Sequence, residues 1–332
     1  MGKSKVLVVG GTGYIGKRIV MASLAQGHAT YVLRRPETGL DIDKAQMLLS
    51  FKRRGAHLVE GSFSDHRSLV DAVKQVNVVI CTMSGEHFRS HNLLLQLQLV
   101  EAIKEAGNIK VGEVVGGEGT WKRLLWLSKK RKETKERFLP SEFGIDPARM
   151  GDALAPGRVT FDDKMVVRKA IEDAKIPFTF VSANCFAGYF AGNLSQMRTL
   201  FPPKEKVHIY GDGQAKDDVA TYTIKAIDDP RTLNKTLYLR PSENILSRRE
   251  LVEKWENIAA KKLQKISISS DDFLASMKGL DYGGQVAVGH FYHIFYEGCL
   301  TNFEIGEGGE EASKLYPEVK YTRMDEYLKL YL

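Results

Sequence analysis

The sequence predicts an α/β protein, a doubly wound parallel sheet with a second, smaller domain that binds substrate. Three observations predict it. Residues 10–16 read GGTGYIG, directly after an apolar run at 6–9 and directly before an amphipathic segment at 17–26. Short apolar runs then alternate with amphipathic stretches through the first half, which is the pattern of βαβ units. After about residue 183 this alternation weakens and aromatic residues accumulate, as in Phe186, Tyr189 and Phe190 and in the run His290-Phe291-Tyr292-His293.

The apolar runs place strands at 6–9, 30–33, 57–60, 76–81, 137–140 and 178–182. Helices fall between them, near 14–26, 43–54, 66–74, 88–106 and 160–174. The fourth is marked by Leu93, Leu97, Val100 and Lys104 and is ended by Gly107. Right-handed crossovers between parallel strands give a Rossmann-type sheet, which takes its ligands at the carboxyl ends of the strands. In the glycine turn, Gly10 permits a tight bend, Gly13 lets the backbone approach a pyrophosphate, and Gly16 lets the helix lie close to the strand. Free N–H groups at the helix start then face the phosphates, aided by the helix dipole. The Gly-x-x-Gly-x-x-Gly spacing is typical of extended and atypical short-chain dehydrogenases. The expected division is a dinucleotide-binding domain over 1–182 and a mainly substrate-binding domain over 183–332.

At 332 residues and 43% apolar content, the chain can bury one large core or two modest ones. Its formal charge of +7 is partly local, because residues 111–136 hold seven Lys/Arg against four Glu. The remaining excess suits a polyanionic cofactor better than a nucleic-acid face. Cys81, Cys185 and Cys299 lie far apart, without metal-ligand spacing, as reduced thiols do. No metal site is expected. The chain enters its first strand at once and contains no apolar run of eighteen residues, so a cytoplasmic protein without a membrane partner is expected.

Cofactor choice is read from the end of the second strand. A carboxylate there would hold the ribose 2′-hydroxyl of NAD, but this strand ends in Arg34-Arg35-Pro36, and Glu37 lies beyond the proline. A guanidinium matches a 2′-phosphate in shape and charge, which points to NADPH. One arginine suffices, and Lys44 at the start of the next helix is placed to reach the same phosphate.

The Tyr-x-x-x-Lys pair of ordinary short-chain dehydrogenases is absent from the helix after the fifth strand. Lys164 is present, but Thr160 stands at the tyrosine position. The pair Tyr316 to Lys320 contains Pro317 and lies near the C-terminus, so it is read as chance. Lys164 is either a solvated helix lysine or an acid–base group. Arg168, four residues on, shares its helical face and disfavours a protonated amine.

Taken together, GGTGYIG, LRRPE at 33–37, RSHNLLLQLQLVEAIKEAGN at 89–108, RFLPSEFG at 137–144, RVTFDDKMVVRKAIE at 158–172 and VSANCFAGYF at 181–190 resemble the plant isoflavone reductase-like family of NADPH reductases. Within it the chain is most similar to the pinoresinol- and lariciresinol-reducing branch, which VGHFYHIFYEGCLTNFEIG also fits. The resemblance implies a phosphate site at Gly10, Gly11, Thr12, Gly13, Tyr14, Ile15 and Gly16 with Arg35 and Lys44, a general base at Lys164, a cofactor contact at Arg168 and a substrate contact at His290. From the residues alone, His290 reads as a core or surface histidine.

The chemistry so implied opens the benzylic ether ring of a lignan. A base removes a para-phenol proton, the ring electrons expel the benzylic oxygen to give a quinone methide, and NADPH reduces the benzylic carbon. Such a reaction needs no tyrosine at a carbonyl. The expected partner is a small phenolic molecule, with no nucleic acid, and a homodimer is the expected assembly. A related reductase acting on an isoflavone or a phenylcoumaran ether, or a non-catalytic NADP-binding protein, is the alternative.

Two segments depart from the family pattern. Residues 111–136 intervene where the family runs directly into RFLPSEFG. Valine codons begin with GT and a glutamate codon ends in AG, so Val111 and Glu136 fit the borders of a retained intron. After Lys216, about half a dozen β-like residues of the family are missing. Loss of a buried strand removes ladder hydrogen bonds and buried side chains and is expected to cost more stability than a loop inserted at the amino ends of the strands.

Overall fold

The computed structural model describes residues 3–36, 41–84, 91–107, 137–184, 191, 193–196, 202–209 and 219–332. The insert 111–136, Glu37, the aromatic run 185–190 with Cys185, and the junction after Lys216 lie outside the described residues.

Strand β1 (Lys5–Val9) shows why both faces of the sheet are covered. Its side chains alternate, so Val6 and Val8 enter one apolar cluster while Leu7 and Val9 enter the other, and all four are almost fully buried. Helices α1 (Tyr14–Ala25) and α2 (Ile42–Arg53) lie on the first side through Ile19, Val20, Leu48 and Phe51. Helices α3 (His66–Val73), α4 (Gln96–Ala106) and α5 (Val159–Asp173) cover the second through Leu69, Leu99, Ile103, Val167 and Ile171. Asp41 and Asp65 cap α2 and α3 by accepting from Lys44 N–H and Ser68 N–H, and Gly107, with φ 65°, ends α4.

Strands β2 (Ala29–Arg34), β3 (His57–Glu60), β4 (Val78–Cys81) and β5 (Arg137–Leu139) join β1 in the parallel order β3-β2-β1-β4-β5. A bridge from Phe138 to Phe178, with Phe138 N–H donating to the Pro177 carbonyl at 2.8 Å, carries the sheet on towards β6 (Thr179–Ser182). The six strands read from the sequence are thus present, each within two residues of its expected bounds.

The chain beyond 183 does more than cover a pocket. Strands β8 (Lys235–Tyr238) and β10 (Gly309–Glu311) pair in parallel beside β6, in the order β10-β8-β6. Helix α6 (Val219–Ala226) packs its Tyr222 and Ile224 into the same apolar cluster as Val6 and Val8. Strands β7 (Lys206–Ile209) and β9 (Gln264–Ser267) pair separately and adjoin α7 (Arg248–Ala259) through Val207, Leu251 and Val252. Helices α8 (Ser270–Ala275) and α9 (Tyr282–Phe295) form a third cluster, which takes in Phe161 of α5. No described helix is long and apolar enough to cross a membrane.

Arg137, the residue directly after the insert, is 1% exposed at the amino end of β5. That is the sheet edge opposite the glycine turn. Its guanidinium donates to the Thr179 and Thr232 hydroxyls at 3.1 and 2.9 Å and to the Ala226 and Asp229 carbonyls at 2.9 and 3.1 Å. One buried cation thus ties β5 and β6 to the end of α6. Tyr316, the tyrosine of the chance pair, belongs to the same corner, its hydroxyl donating to Asp229 at 2.9 Å. Arg137→Met should lower unfolding free energy by about 2–4 kcal/mol, because four acceptors each lose a charged donor in a largely buried corner. Urea denaturation checks this, and a loss below about 1 kcal/mol would show that the corner is held by packing alone.

Candidate active site

Gly10 follows β1 with φ +81°, and a Cβ placed there would lie 2.9 Å from Thr82 Oγ1, just past the end of β4. The turn therefore sits between β1 and β4, where the strand order reverses and doubly wound sheets bind ligands. A Cβ on Gly16 would lie 2.1 Å from the Gly10 carbonyl oxygen, so α1 presses directly on the turn. Gly13 is the N-cap of α1, and no side chain caps this helix. A cradle of bare backbone and an uncapped helix start suits a pyrophosphate. Thr12 lies in the same turn, Ile15 is buried in the first turn of α1, and Tyr14 carries Arg18 over its ring at 3.9 Å.

At the end of β2 the two arginines separate. Arg34 pairs with Glu60, its register partner on β3, while Arg35 is exposed at the same carboxyl edge as the glycine turn. Lys44 lies against the Asp41 carboxylate that caps α2, at 2.7 Å.

The sequence-predicted base is in the interior. Lys164 is 8% exposed on α5, and its Nζ donates to the Glu142 carbonyl at 2.7 Å. Phe161 and Arg168 lie one turn to either side on the same face. Burial pulls the amine from 10.5 down to about 8, Glu142 and Asp146 oppose that shift, and Arg168 assists it. Desolvation therefore outweighs the neighbouring cation that the sequence offered as a cause.

Arg168 is itself buried over the ring of Phe180, 4.2 Å away. Its Nε donates to Glu142 Oε1 at 2.6 Å, one terminal nitrogen pairs with Glu142 Oε2, and the other meets Asp146 Oδ1 at 3.0 Å. Asp146 also accepts the Tyr238 hydroxyl at 2.6 Å. The Glu142, Asp146 and Tyr238 contributions were not foreseen. Glu142 stands inside RFLPSEFG, after β5, and that position at a strand's carboxyl end was the available signal.

His290 is brought beside Lys164. Its ring meets Phe161 at 5.0 Å, and its Nε2–H donates to the Gly157 carbonyl at 3.1 Å. Burial, helped by the nearby Lys164 charge and opposed by the Gly157 hydrogen bond, pushes the imidazole down to about 4, so it is neutral at physiological pH. His293, one turn on, accepts from Leu154 N–H at 2.9 Å. The two histidines of α9 thus hold both ends of segment 154–157, which leads into α5. Thr160 and its buried hydroxyl lie one turn ahead of Lys164, and Asp163 pairs with His91 at 3.0 Å.

Comparison with known proteins agrees with this architecture. A model of the NmrA-like family matches residues 2–111 and 130–328, so the skipped stretch falls inside the insert. The isoflavone reductase homolog of Lupinus albus is 70% identical, covering all of both chains. The bifunctional pinoresinol-lariciresinol reductase of Linum perenne is 65% identical over 98% of each. Among solved structures, AtPrR2 with NADP+ and (+)pinoresinol superposes with a TM-score of 0.88 at 57% identity, covering both chains fully.

Lys164 opposes folding. Its native proton affinity lies below its unfolded one, so the penalty is complete below about pH 8, where both states carry the proton, and fades as pH rises towards 10.5. Lys164→Met should therefore unfold later than wild type at pH 6.5, by up to roughly 3 kcal/mol, with the advantage shrinking between pH 8 and 10. Urea titrations across that range check it, and an advantage independent of pH would contradict the assignment of a charged, buried amine.

Proposed function

The chain belongs to the NmrA-like family, and on that footing we propose that it is an NADPH-dependent reductase opening the benzylic ether rings of pinoresinol and lariciresinol. The observation that carries this reading is the Lys164 amine, buried beside His290 at the carboxyl edge of the sheet and brought down to about 8. Full-length likeness to pinoresinol-lariciresinol reductases supports it and disfavours the non-catalytic alternative.

The residues fit the nucleotide. A cradle with no room for a Cβ at Gly10 and Gly16, an uncapped α1 and an exposed Arg35 would hold its pyrophosphate and 2′-phosphate, with Lys44 beside them. When bound, NADPH supplies the two-electron reduction at the benzylic carbon. Lys164, in its neutral form, takes the para-phenol proton. The phenolate then breaks the benzylic C–O bond to leave a quinone methide and an alkoxide, which takes a proton from water. Once the benzylic carbon is reduced, the phenolate recovers its proton from Lys164. His290, neutral and with its proton fixed on Nε2 by Gly157, presents an imidazole to the substrate without competing for that proton. Arg168, given by resemblance as a cofactor contact, acts here as a positioning residue, because its donors go to Glu142 and Asp146. The substrate side is formed by Phe161 and α9, and the nucleotide side by the sheet with its returning strands β8 and β10.

Lys164→Met should reduce turnover of pinoresinol about 10²–10⁴-fold while leaving NADPH affinity intact. A pinoresinol whose para-hydroxyls are methylated should not react with the wild-type enzyme, and turnover of that ether would overturn the mechanism. In nucleotide titrations, Arg35→Ala should weaken NADPH binding about 10- to 100-fold and NADH binding little. Equal weakening of both would remove Arg35 from the 2′-phosphate site.

A further inference from the structure

Asp146 has no place in the reaction described above, yet it is 5% exposed and surrounded by charge. It receives three side chains from three parts of the chain. Arg168 of α5 meets Oδ1 at 3.0 Å, Tyr238 at the end of β8 donates to Oδ2 at 2.6 Å, and Arg149 approaches Oδ2 at 3.6 Å. Arg168 also grips the Glu142 carboxylate, and the Glu142 carbonyl is the oxygen that receives Lys164 Nζ at 2.7 Å. A continuous chain of contacts therefore runs from Tyr238 through Asp146, Arg168 and Glu142 to Lys164.

We propose that Asp146 is a positioning residue for the base, its carboxylate fixing Arg168 between two acids and so setting how readily the Lys164 amine gives up its proton. This rests on the reading of Lys164 as the base. Two buried acids flank one guanidinium, so Arg168 does not act on Lys164 as an unopposed cation. Without the second acid, the charge around Lys164 goes from net negative to neutral and its protonated form is less favoured.

The other charged or titratable groups facing Lys164 do not substitute for Asp146. Glu142 lies in the same turn and is already bonded twice by Arg168. Asp163 of α5 turns to His91. His290, from α9, is neutral at physiological pH. Asp146 is the acid whose charge can be removed with its contacts largely kept, because the Oδ1 of an asparagine still accepts from Ala148 N–H, the cap contact at 3.2 Å, and from Arg168, while its Nδ2–H donates to the Tyr238 hydroxyl oxygen.

Asp146→Asn provides the test, and the first readout needs no turnover. The stability difference between Lys164→Met and its parent, followed by urea unfolding against pH, begins to fall where the native lysine loses its proton. In the Asp146→Asn background this onset should move to lower pH, by at least about threefold in proton affinity. The acid limb of kcat/KM for pinoresinol should move in the same direction. If Asp146 only braces the turn, neither midpoint moves, and that result overturns the proposal. Should Asp146→Asn fold poorly, Asp146→Ser carries the same expectation, since it removes the same charge. Failure of the base reading itself is distinguished by Lys164→Met retaining turnover, while the stability titration still reports whether Asp146 and Lys164 are coupled.

Discussion

The contact on which the remainder of the molecule depends is the approach of α1 to the end of β1. Gly16 stands where a Cβ would lie 2.1 Å from the Gly10 carbonyl oxygen, a distance no side chain tolerates. That closeness aims the uncapped start of α1 at the crevice between β1 and β4. It also seats α1 against α6, which lies in the second half of the sequence, and so draws the returning chain onto the sheet. Parallel strands have no other way to bring Arg35, the 141–146 turn and the glycine cradle to one edge.

Above that edge lies a site built on unfavourable electrostatics. Burial sets the Lys164 amine well below its ordinary range, and the neighbouring acids hold it back from falling further. The energetic strain of keeping a cation-forming group dry is offset by the two clusters around β1, whose aliphatic side chains each contribute on the order of 2 kcal/mol on full burial. A stable sheet thus carries a locally destabilising buried amine, the usual relation between scaffold and site.

The legible part of the fold was its first half. Runs such as Val6-Leu7-Val8-Val9 are buried on both faces, so their continuous apolarity announces a parallel strand. Strand β10, by contrast, is Gly-Glu-Glu and pairs through its backbone, with Gly309 placed where a Cβ would meet the Tyr238 ring at 2.7 Å. Nothing in three polar residues signals a strand. The glycine turn, Arg35, Lys164 and His290 are the candidates the sequence singles out, because each sits in a motif of fixed spacing or a resemblance block. The Glu142–Arg168–Asp146–Tyr238 chain is not among them, because its members come from a turn, a helix and a late strand that meet only in the folded protein.

Segment 154–157 carries a consequence for how such a pocket changes over generations. A Cβ on Gly157 would lie 2.9 Å from His290 Cδ2, while the Gly157 carbonyl is what holds that imidazole in its tautomer. The two positions are therefore sterically coupled. A larger residue at 157 becomes admissible once the ring at 290 has been given up, and a lineage that abandons the histidine gains space in the pocket wall at the same moment. A change that adds a side chain at 157 while keeping the ring at 290 is closed off by steric overlap, so exchange at the two positions has to be paired.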